Sequence, residues 1–165
     1  PVADPVVNGV PRPDLQSPYN NICNDVAVDP RTGGQQVIAN CAWRGGAAYN
    51  GFYLSTDFGE HFVLVNPTGA LNPQDVGRGS FAYAADGSHL YAVVESIVKY
   101  SNNKNTALGG VFDSPSGSVT GPWNRIADEA KLAASGSALK NSVGYKPGIQ
   151  AWYNQFLAVE EKNWL

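Results

Sequence analysis

The chain has 165 residues, of which 43% are hydrophobic and 15% are charged, and its formal net charge is −3. That length accommodates one domain with a sizeable core and at most a small second domain. The hydrophobic fraction excludes a disordered tail, and the lack of an apolar run of about 18 residues excludes a membrane-spanning helix. The absence of a basic surplus argues against nucleic acid as a partner.

The first residues predict an extended lead-in rather than a packed element. Residues 1–21 contain five prolines and show little periodicity. The chain begins with Pro1 and contains no methionine. Because ribosomal products start with methionine, we expect the chain to be cut from a longer precursor.

The two cysteines, Cys23 and Cys41, lie in apolar segments that flank a turn. Residues 22–28 and 35–43 are typical of strands, and residues 29–34 combine Asp, Pro and Gly as turns do. If the turn centres near residue 32, residues whose numbers sum to 64 face each other, so Val26 pairs with Ile38 and Cys23 with Cys41. We therefore predict a cross-strand disulfide, with two buried free thiols as the alternative. A disulfide and a surface rich in Asn, Ser, Tyr and Gly favour a secreted protein whose signal peptide has been removed.

After this hairpin the sequence continues as short strand pairs. Residues 50–54 with 61–65, 81–85 with 90–94, and 110–113 with 123–126 each place apolar segments on either side of turn residues. Residues 128–134 are the only segment predicted to be helical. The pattern predicts an all-β fold.

The strands recur as a repeat. Val26, Phe81 and Phe156 occupy equivalent first strands, and Ser55 and Ser114 end equivalent third strands. Val26 and Phe81 are 55 residues apart, and Ser55 and Ser114 are 59 residues apart. Four short strands in each such unit are typical of a propeller blade. We predict a lead-in (1–21), a first blade (22–69), a second blade (70–127), a connection with a short helix (128–147) and the first strand of a third blade (148–165). Because two blades leave a propeller open, we expect its remaining blades as a partner chain, or self-association.

One turn carries a recognisable motif. The segment Ser55-Thr56-Asp57-Phe58-Gly59-Glu60-His61-Phe62 resembles the Asp-box of bacterial neuraminidase repeats, Ser-x-Asp-x-Gly-x-x-Trp, with Phe62 in the place of Trp. Asp-boxes mark sialidases, some xyloglucan-cleaving glycoside hydrolases and sortilin-type receptors, and segments 42–53 and 147–156 are similar to secreted sialidase-like or glycosyl-hydrolase-like propellers. The resemblance implies a β-propeller with a glycan ligand.

The box residues themselves are expected to be structural. Ser55 and Asp57 can bond backbone N–H groups of the turn, Gly59 can supply a left-handed backbone, and Phe62 can pack under the hairpin. The second copy has Ser116 where the box has Asp, and Trp123 in the place of Phe62.

Blade topology predicts a site on the face that carries the longer loops, which join strands two and three and one blade with the next. The catalytic candidates are Glu95, Asp25 and Tyr49, and the substrate-binding candidates are Arg44, Arg78, Trp152, Tyr153 and Asn154. Aromatic rings would stack on sugars while Arg and Asn bind hydroxyl or carboxylate groups. Glu95 with Tyr49 or Tyr153 would form half of a sialidase-type pair, and Asp25 would face a central channel. The alternatives are a loop ion pair of Arg44 and Glu95 with ordinary aromatic packing, and a pairing or capping role for Asp25.

Other chemistries have little support. The chain lacks the Arg-Ile-Pro segment of true sialidases, and His61 and His89 lack the spacing of metal ligands. Its glycine pairs lack the context of a phosphate loop. We expect neither a metal nor another cofactor. The sequence favours part of a secreted, glycoside-hydrolase-like propeller, and the alternative is a non-catalytic propeller that binds glycan or protein.

Overall fold

A computed structural model of the chain describes residues 6–7, 10–11, 22–102, 107–135, 151 and 155–160. As predicted, the chain is all-β, and these ranges contain two short α-helices, of which only the second was predicted. The strands are β1 (Val6–Val7), β2 (Val10–Pro11), β3 (Cys23–Val28), β4 (Val37–Cys41), β5 (Gly51–Ser55), β6 (Val63–Leu64), β7 (Gly79–Tyr83), β8 (Leu90–Glu95), β9 (Leu108–Ser114) and β10 (Asn124–Ala127); the helices are α1 (Ile97–Ser101) and α2 (Glu129–Ala134). Neither helix is long and apolar enough to cross a membrane.

The larger strands form two four-stranded antiparallel sheets. The first has the order β3-β4-β5-β6 and the second has the order β7-β8-β9-β10, so each sheet is a simple meander. A short ribbon of β1 and β2 forms a third sheet, and β1 lies against β6 of the first sheet. Every strand pair predicted from the sequence is present, because each pair is joined by a tight turn whose residues are visible in the sequence.

The hairpin of β3 and β4 carries the predicted disulfide. The sulfur atoms of Cys23 and Cys41 are 2.04 Å apart, and the two residues face each other across the strands. The predicted pairing of Val26 with Ile38 is wrong by one residue, because an irregularity between Cys23 and Asp25 shifts the ladder and Val26 faces Ala39. A disulfide is compatible with an extracellular location.

The main hydrophobic core lies between the two sheets. Ile38 and Phe52 of the first sheet pack with Phe81, Phe112 and Trp123 of the second in one buried cluster. The Phe52 ring centroid is 4.8 Å from that of Phe81 and 5.8 Å from that of Trp123. Burying each such side chain contributes about 2–3 kcal/mol, so this cluster holds the sheets face to face.

The innermost strands β3 and β7 lie side by side and are joined by polar contacts. Asp25 Oδ2 accepts a hydrogen bond from Phe81 N at 2.7 Å, and Asn40 Oδ1 accepts one from Gly79 N at 2.7 Å. The two sheets therefore stand as neighbouring propeller blades do, and they do not close a ring.

Two connections differ from prediction. Helix α1, which was not predicted, begins after Ser96, whose Oγ accepts a hydrogen bond from Lys99 N. Residues 155–160 form no strand, although a first strand was predicted there, because no neighbouring strand in the described ranges pairs with them. Leu157 rather than Phe156 packs on the second sheet, beside Val93 and Leu108.

The connections fall on two opposite edges of the sheets. The turn edge comprises the turns within strand pairs, residues 29–36, 56–62, 84–89 and 115–122. The loop edge comprises residues 42–50, 71–78 and 96–102, which join middle strands or link the sheets.

Candidate functional site

The Asp57 turn lies on the turn edge and is held by its own side chains. Buried Ser55 donates a hydrogen bond through Oγ to Asp57 Oδ1 at 2.7 Å and accepts one from Gly59 N at 2.9 Å. Asp57 Oδ1 also accepts a hydrogen bond from His61 N at 3.0 Å. These bonds, first that from His61 N and then that from Ser55, hold the pKa of Asp57 well below its usual range. Both oxygens of Asp57 thus serve the turn, since Oδ2 lies 2.7 Å from His61 Nδ1.

The remaining box positions behave as the motif predicts. Phe58 and Gly59 have left-handed backbones, with φ of 62° and 89°. Phe62 packs beside Tyr53 and Ala39 on the face of the first sheet that points away from the second.

The equivalent turn of the second sheet keeps the architecture without the carboxylate. Ser114 is buried, and its Oγ donates a hydrogen bond to Ser118 O at 2.8 Å. Ser116 takes the place of Asp57, and its Oγ accepts a long hydrogen bond from Ser118 N, at 3.4 Å. Trp123, in the place of Phe62, is fully buried in the core between the sheets, and its Nε1 donates a hydrogen bond to Val119 O at 2.9 Å.

The loop edge is organised around Glu95, which is 0% exposed. Its Oε2 accepts a hydrogen bond from Arg78 N at 2.9 Å, and its backbone N donates to Arg78 O at 2.7 Å. A Cβ on Gly77 would lie 2.6 Å from Oε2, so only glycine leaves room for this carboxyl group. Among the described residues, Oε1 of Glu95 has no hydrogen-bond partner.

The electrostatics of this buried carboxyl group are unusual. Burial raises the pKa of Glu95 to about 7, against the lowering effect of the Arg78 hydrogen bond and of the charges on Arg78 and Arg44. Asp75 raises that pKa further. The Nε atoms of Arg44 and Arg78 are also buried without a partner in the described residues. Because the charges on both arginines act on Glu95, the structure places three predicted site residues in one neighbourhood: Arg44, Arg78 and Glu95.

Arg44 connects two separate loops through aromatic rings. Its guanidinium carbon is 5.2 Å from the ring centroid of Trp43 and 5.7 Å from that of Tyr100, which lies on α1. All three side chains are partly exposed. Here the guanidinium, an indole and a phenol share one surface.

Two residues that the sequence did not single out position these loops. Asn50 accepts a hydrogen bond from Trp43 N at 2.8 Å and donates to Val76 O at 2.9 Å. Asp75 accepts hydrogen bonds from Ser96 Oγ at 2.7 Å and from Val98 N at 2.9 Å, which fixes the start of α1. The Asn50-Gly51 pair is a turn signal that the sequence shows. The contact of Asn50 with Val76, in the connection between the sheets, cannot be read from the sequence.

A cleft of about 140 Å³ opens beside this surface. Ala47 and Ala48 line it from the loop that carries Arg44, and Ile97 lines it from the helix that carries Tyr100. Pro73, Gln74 and Val76 of the inter-sheet connection complete this part of the wall.

The other predicted site residues lie apart from this surface or outside the described residues. Asp25 binds Phe81 N in the contact between the sheets. Tyr49 is buried, its carbonyl oxygen accepts the Tyr53 hydroxyl at 2.6 Å, and burial raises its pKa. Trp152, Tyr153 and Asn154 lie outside the described residues. The catalytic assignments of Glu95, Asp25 and Tyr49 stay predictions.

Comparison with known proteins finds a distant similarity to one solved structure. No family model matches the chain, and no curated protein is significantly similar to it. The crystal structure of an ancestral GH74 enzyme matches with a TM-score of 0.32 and 15% identity, over 65% of this chain and 20% of that enzyme. This chain thus spans about a fifth of that enzyme's length. The function proposed below depends on the residues of the chain itself.

Proposed function

We propose that the loop edge binds carbohydrate, as one part of the ligand face of a secreted propeller. The observation that carries this proposal is that two segments, residues 42–50 and 96–102, form the Trp43–Arg44–Tyr100 surface and also contribute to the wall of the cleft beside it. Partly exposed aromatic rings next to an arginine and a concave surface are typical of small-ligand sites.

The chemistry of these groups suits a sugar. The apolar face of a pyranose ring packs on an indole or phenol ring, while a guanidinium donates hydrogen bonds to hydroxyl groups and pairs with carboxylates. Arg44 is held in place by the two rings, so little side-chain entropy is lost when it binds. The Asp-box resemblance of the Asp57 turn agrees with a glycan-related propeller.

Binding can be tested directly with the intact chain. Xyloglucan, other β-glucan and sialylated oligosaccharides are titrated by calorimetry into the wild type and Arg44→Ala. We expect saturable binding of at least one glycan class and a loss of tenfold or more in affinity for the variant. Arg125→Ala is the matched control, because Arg125 is an exposed arginine on β10 outside this surface. No binding of any glycan, or equal losses in both variants, would contradict the proposal.

A second candidate function is glycoside hydrolysis, and the state of Glu95 favours it. A pKa of about 7 keeps this carboxyl group protonated over the acidic range, as a general acid requires. Asp75 is a second carboxylate in the same neighbourhood, held by Ser96 and Val98. Glu95 is fully buried, so hydrolysis requires that the loops open around the substrate.

Hydrolysis is tested by release of reducing ends from the same glycans. Loss of this activity in Glu95→Gln, with retention in the exposed control Glu60→Gln, would support the second candidate. Saturable binding without any release of reducing ends would leave binding as the function and exclude hydrolysis.

A further inference from the structure

We propose that the face of β3 carrying Val26 and Val28 docks a second copy of this chain, in a head-to-tail contact. This inference is independent of carbohydrate binding. It follows from the internal repeat, which shows what covers the equivalent face of the second sheet.

The two sheets have equivalent cross-strand rows. In the first sheet the row is Val26, Ala39, Tyr53 and Leu64. In the second sheet it is Phe81, Ala92, Phe112 and Arg125. The second row packs on the first sheet, which leaves Phe81 only 6% exposed. In the described ranges no other sheet packs against Val26 at the inner end of the first row, and Val26 is 60% exposed.

The hydrogen bonds of the two equivalent backbone N–H groups show the same difference between the sheets. Phe81 N donates to Asp25 Oδ2 of the preceding sheet. At the equivalent position Val26 N donates to Asp25 Oδ1, its own neighbour in the chain. A docked sheet would offer Val26 N an acceptor from a neighbouring copy, as Asp25 does for Phe81 N, and would cover Val26 and Val28, of which Val28 is 50% exposed.

A second apolar patch lies on the segment that covers the far face of the second sheet. Leu157 packs inward there, whereas Phe156 is 86% exposed and Val159 is 36% exposed. Exposed apolar residues at two opposite ends of a two-sheet stack fit a head-to-tail contact, because each copy offers the patch that the next copy lacks. A second copy of this chain therefore carries a patch that can cover Val26 and Val28.

The test measures mass by light scattering after size exclusion, at increasing protein concentration. We expect wild-type particles to exceed the chain mass of 17.5 kDa. Val26→Asp combined with Val28→Asp removes one patch, and Phe156→Asp removes the other, so each variant alone should be monomeric. Mixing the two variants should restore a dimer, since one intact patch remains on each partner.

Controls distinguish this contact from unfolding and from other assemblies. Phe58→Ser removes an exposed aromatic on the turn edge and should not change the mass. Phe156 lies outside both sheets, so its variant tests the contact even if the β3 variant fails to fold. A monomeric wild type at all concentrations would overturn the proposal. So would a wild type that associates while the two folded variants stay monomeric when mixed.

Discussion

The two edges of the sheets differ in how their buried polar groups are satisfied. On the turn edge, Ser55 and Ser114 are fully buried and each makes hydrogen bonds within its turn. On the loop edge, Glu95 Oε1 and the Nε atoms of Arg44 and Arg78 are buried without partners in the described residues. Unsatisfied buried polar groups cost free energy and are uncommon in proteins. The difference fits a stabilising role for the turn edge and the ligand binding that we propose for the loop edge.

The largest expected effect lies beside the turn edge, at Trp123. Because this side chain is fully buried between the sheets, Trp123→Ala should lower the free energy of unfolding by about 4 kcal/mol. Trp43→Ala, a matched change at the partly exposed loop edge, should lower it by less than about 1 kcal/mol. Urea denaturation measures both. Similar losses in the two variants would remove the contrast between the edges.

The contribution of Glu95 to the free energy of unfolding should fall as the pH rises. An ordinary ion-paired carboxylate has the opposite effect, because its contribution is lost as the pH falls. Its folded pKa of about 7 lies above the unfolded value of 4.5. The folded state therefore binds the proton more tightly, so the contribution is complete below pH 4.5 and is lost as the pH rises through 7. The shift corresponds to about 3 kcal/mol. Urea denaturation of the wild type and Glu95→Gln at several pH values measures it, and parallel curves for the two proteins would contradict it.

The two serine residues that end β5 and β9 allow a comparison within the turn edge. Ser55 Oγ donates to Asp57 at 2.7 Å and accepts from the Gly59 N–H at 2.9 Å. Ser114 Oγ makes one short hydrogen bond, to Ser118 O at 2.8 Å, and lies 3.4 Å from Ser116 Oγ. Ser55→Ala should therefore destabilise the chain by about 2 kcal/mol, and Ser114→Ala by about 1 kcal/mol. Thermal unfolding followed by circular dichroism ranks the pair. The reverse order would show that the Asp57 turn is not the better-bonded copy.

The smallest effect is expected at Asp57, which is exposed enough for solvent to screen it. Because its pKa is lowered in the folded state, its contribution is present above the unfolded pKa and is lost as the pH falls through the folded pKa. Asp29, Asp86 and Asp128 also have lowered pKa values, so Asp57→Asn should reduce the acid-side dependence without abolishing it, and Ser116→Ala in the other turn should leave it unchanged. Unfolding midpoints between pH 2 and pH 6 are compared. An acid-side dependence as large in Asp57→Asn as in the wild type would contradict the prediction.

The parts of the fold that depend on local chemistry were predictable. The strand pairs, the disulfide of Cys23 and Cys41 and the bonding of Ser55 with Asp57 all lie within hairpins, where the residues in contact are close in sequence. The register of Val26 was missed because the irregularity beside Cys23 has no turn residue to announce it. Helix α1 was missed because five residues are too few to show helical periodicity.

The candidate site was predictable only in part. Loop length and residue type pointed to Arg44, Arg78 and Glu95, and these share the loop edge. The roles of Asn50 and Asp75 depend on contacts between segments more than 20 residues apart in the chain, and no local pattern records them. The orientation of Phe156 could not be predicted either. The sequence shows that apolar residues alternate in this segment, but it does not show which of them pack on the second sheet.

The central claim, that the loop edge binds carbohydrate and the turn edge does not, can be tested by one NMR titration. An oligosaccharide of the glycan class that binds in the calorimetric titration is added to the isotope-labelled chain, and the backbone amide shifts are followed. The account predicts saturable shifts in residues 42–50 and 96–102, no shifts in residues 56–62 and 115–122, and their disappearance in Arg44→Ala. Shifts centred on the Asp57 turn, or shifts that persist unchanged in Arg44→Ala, would contradict it.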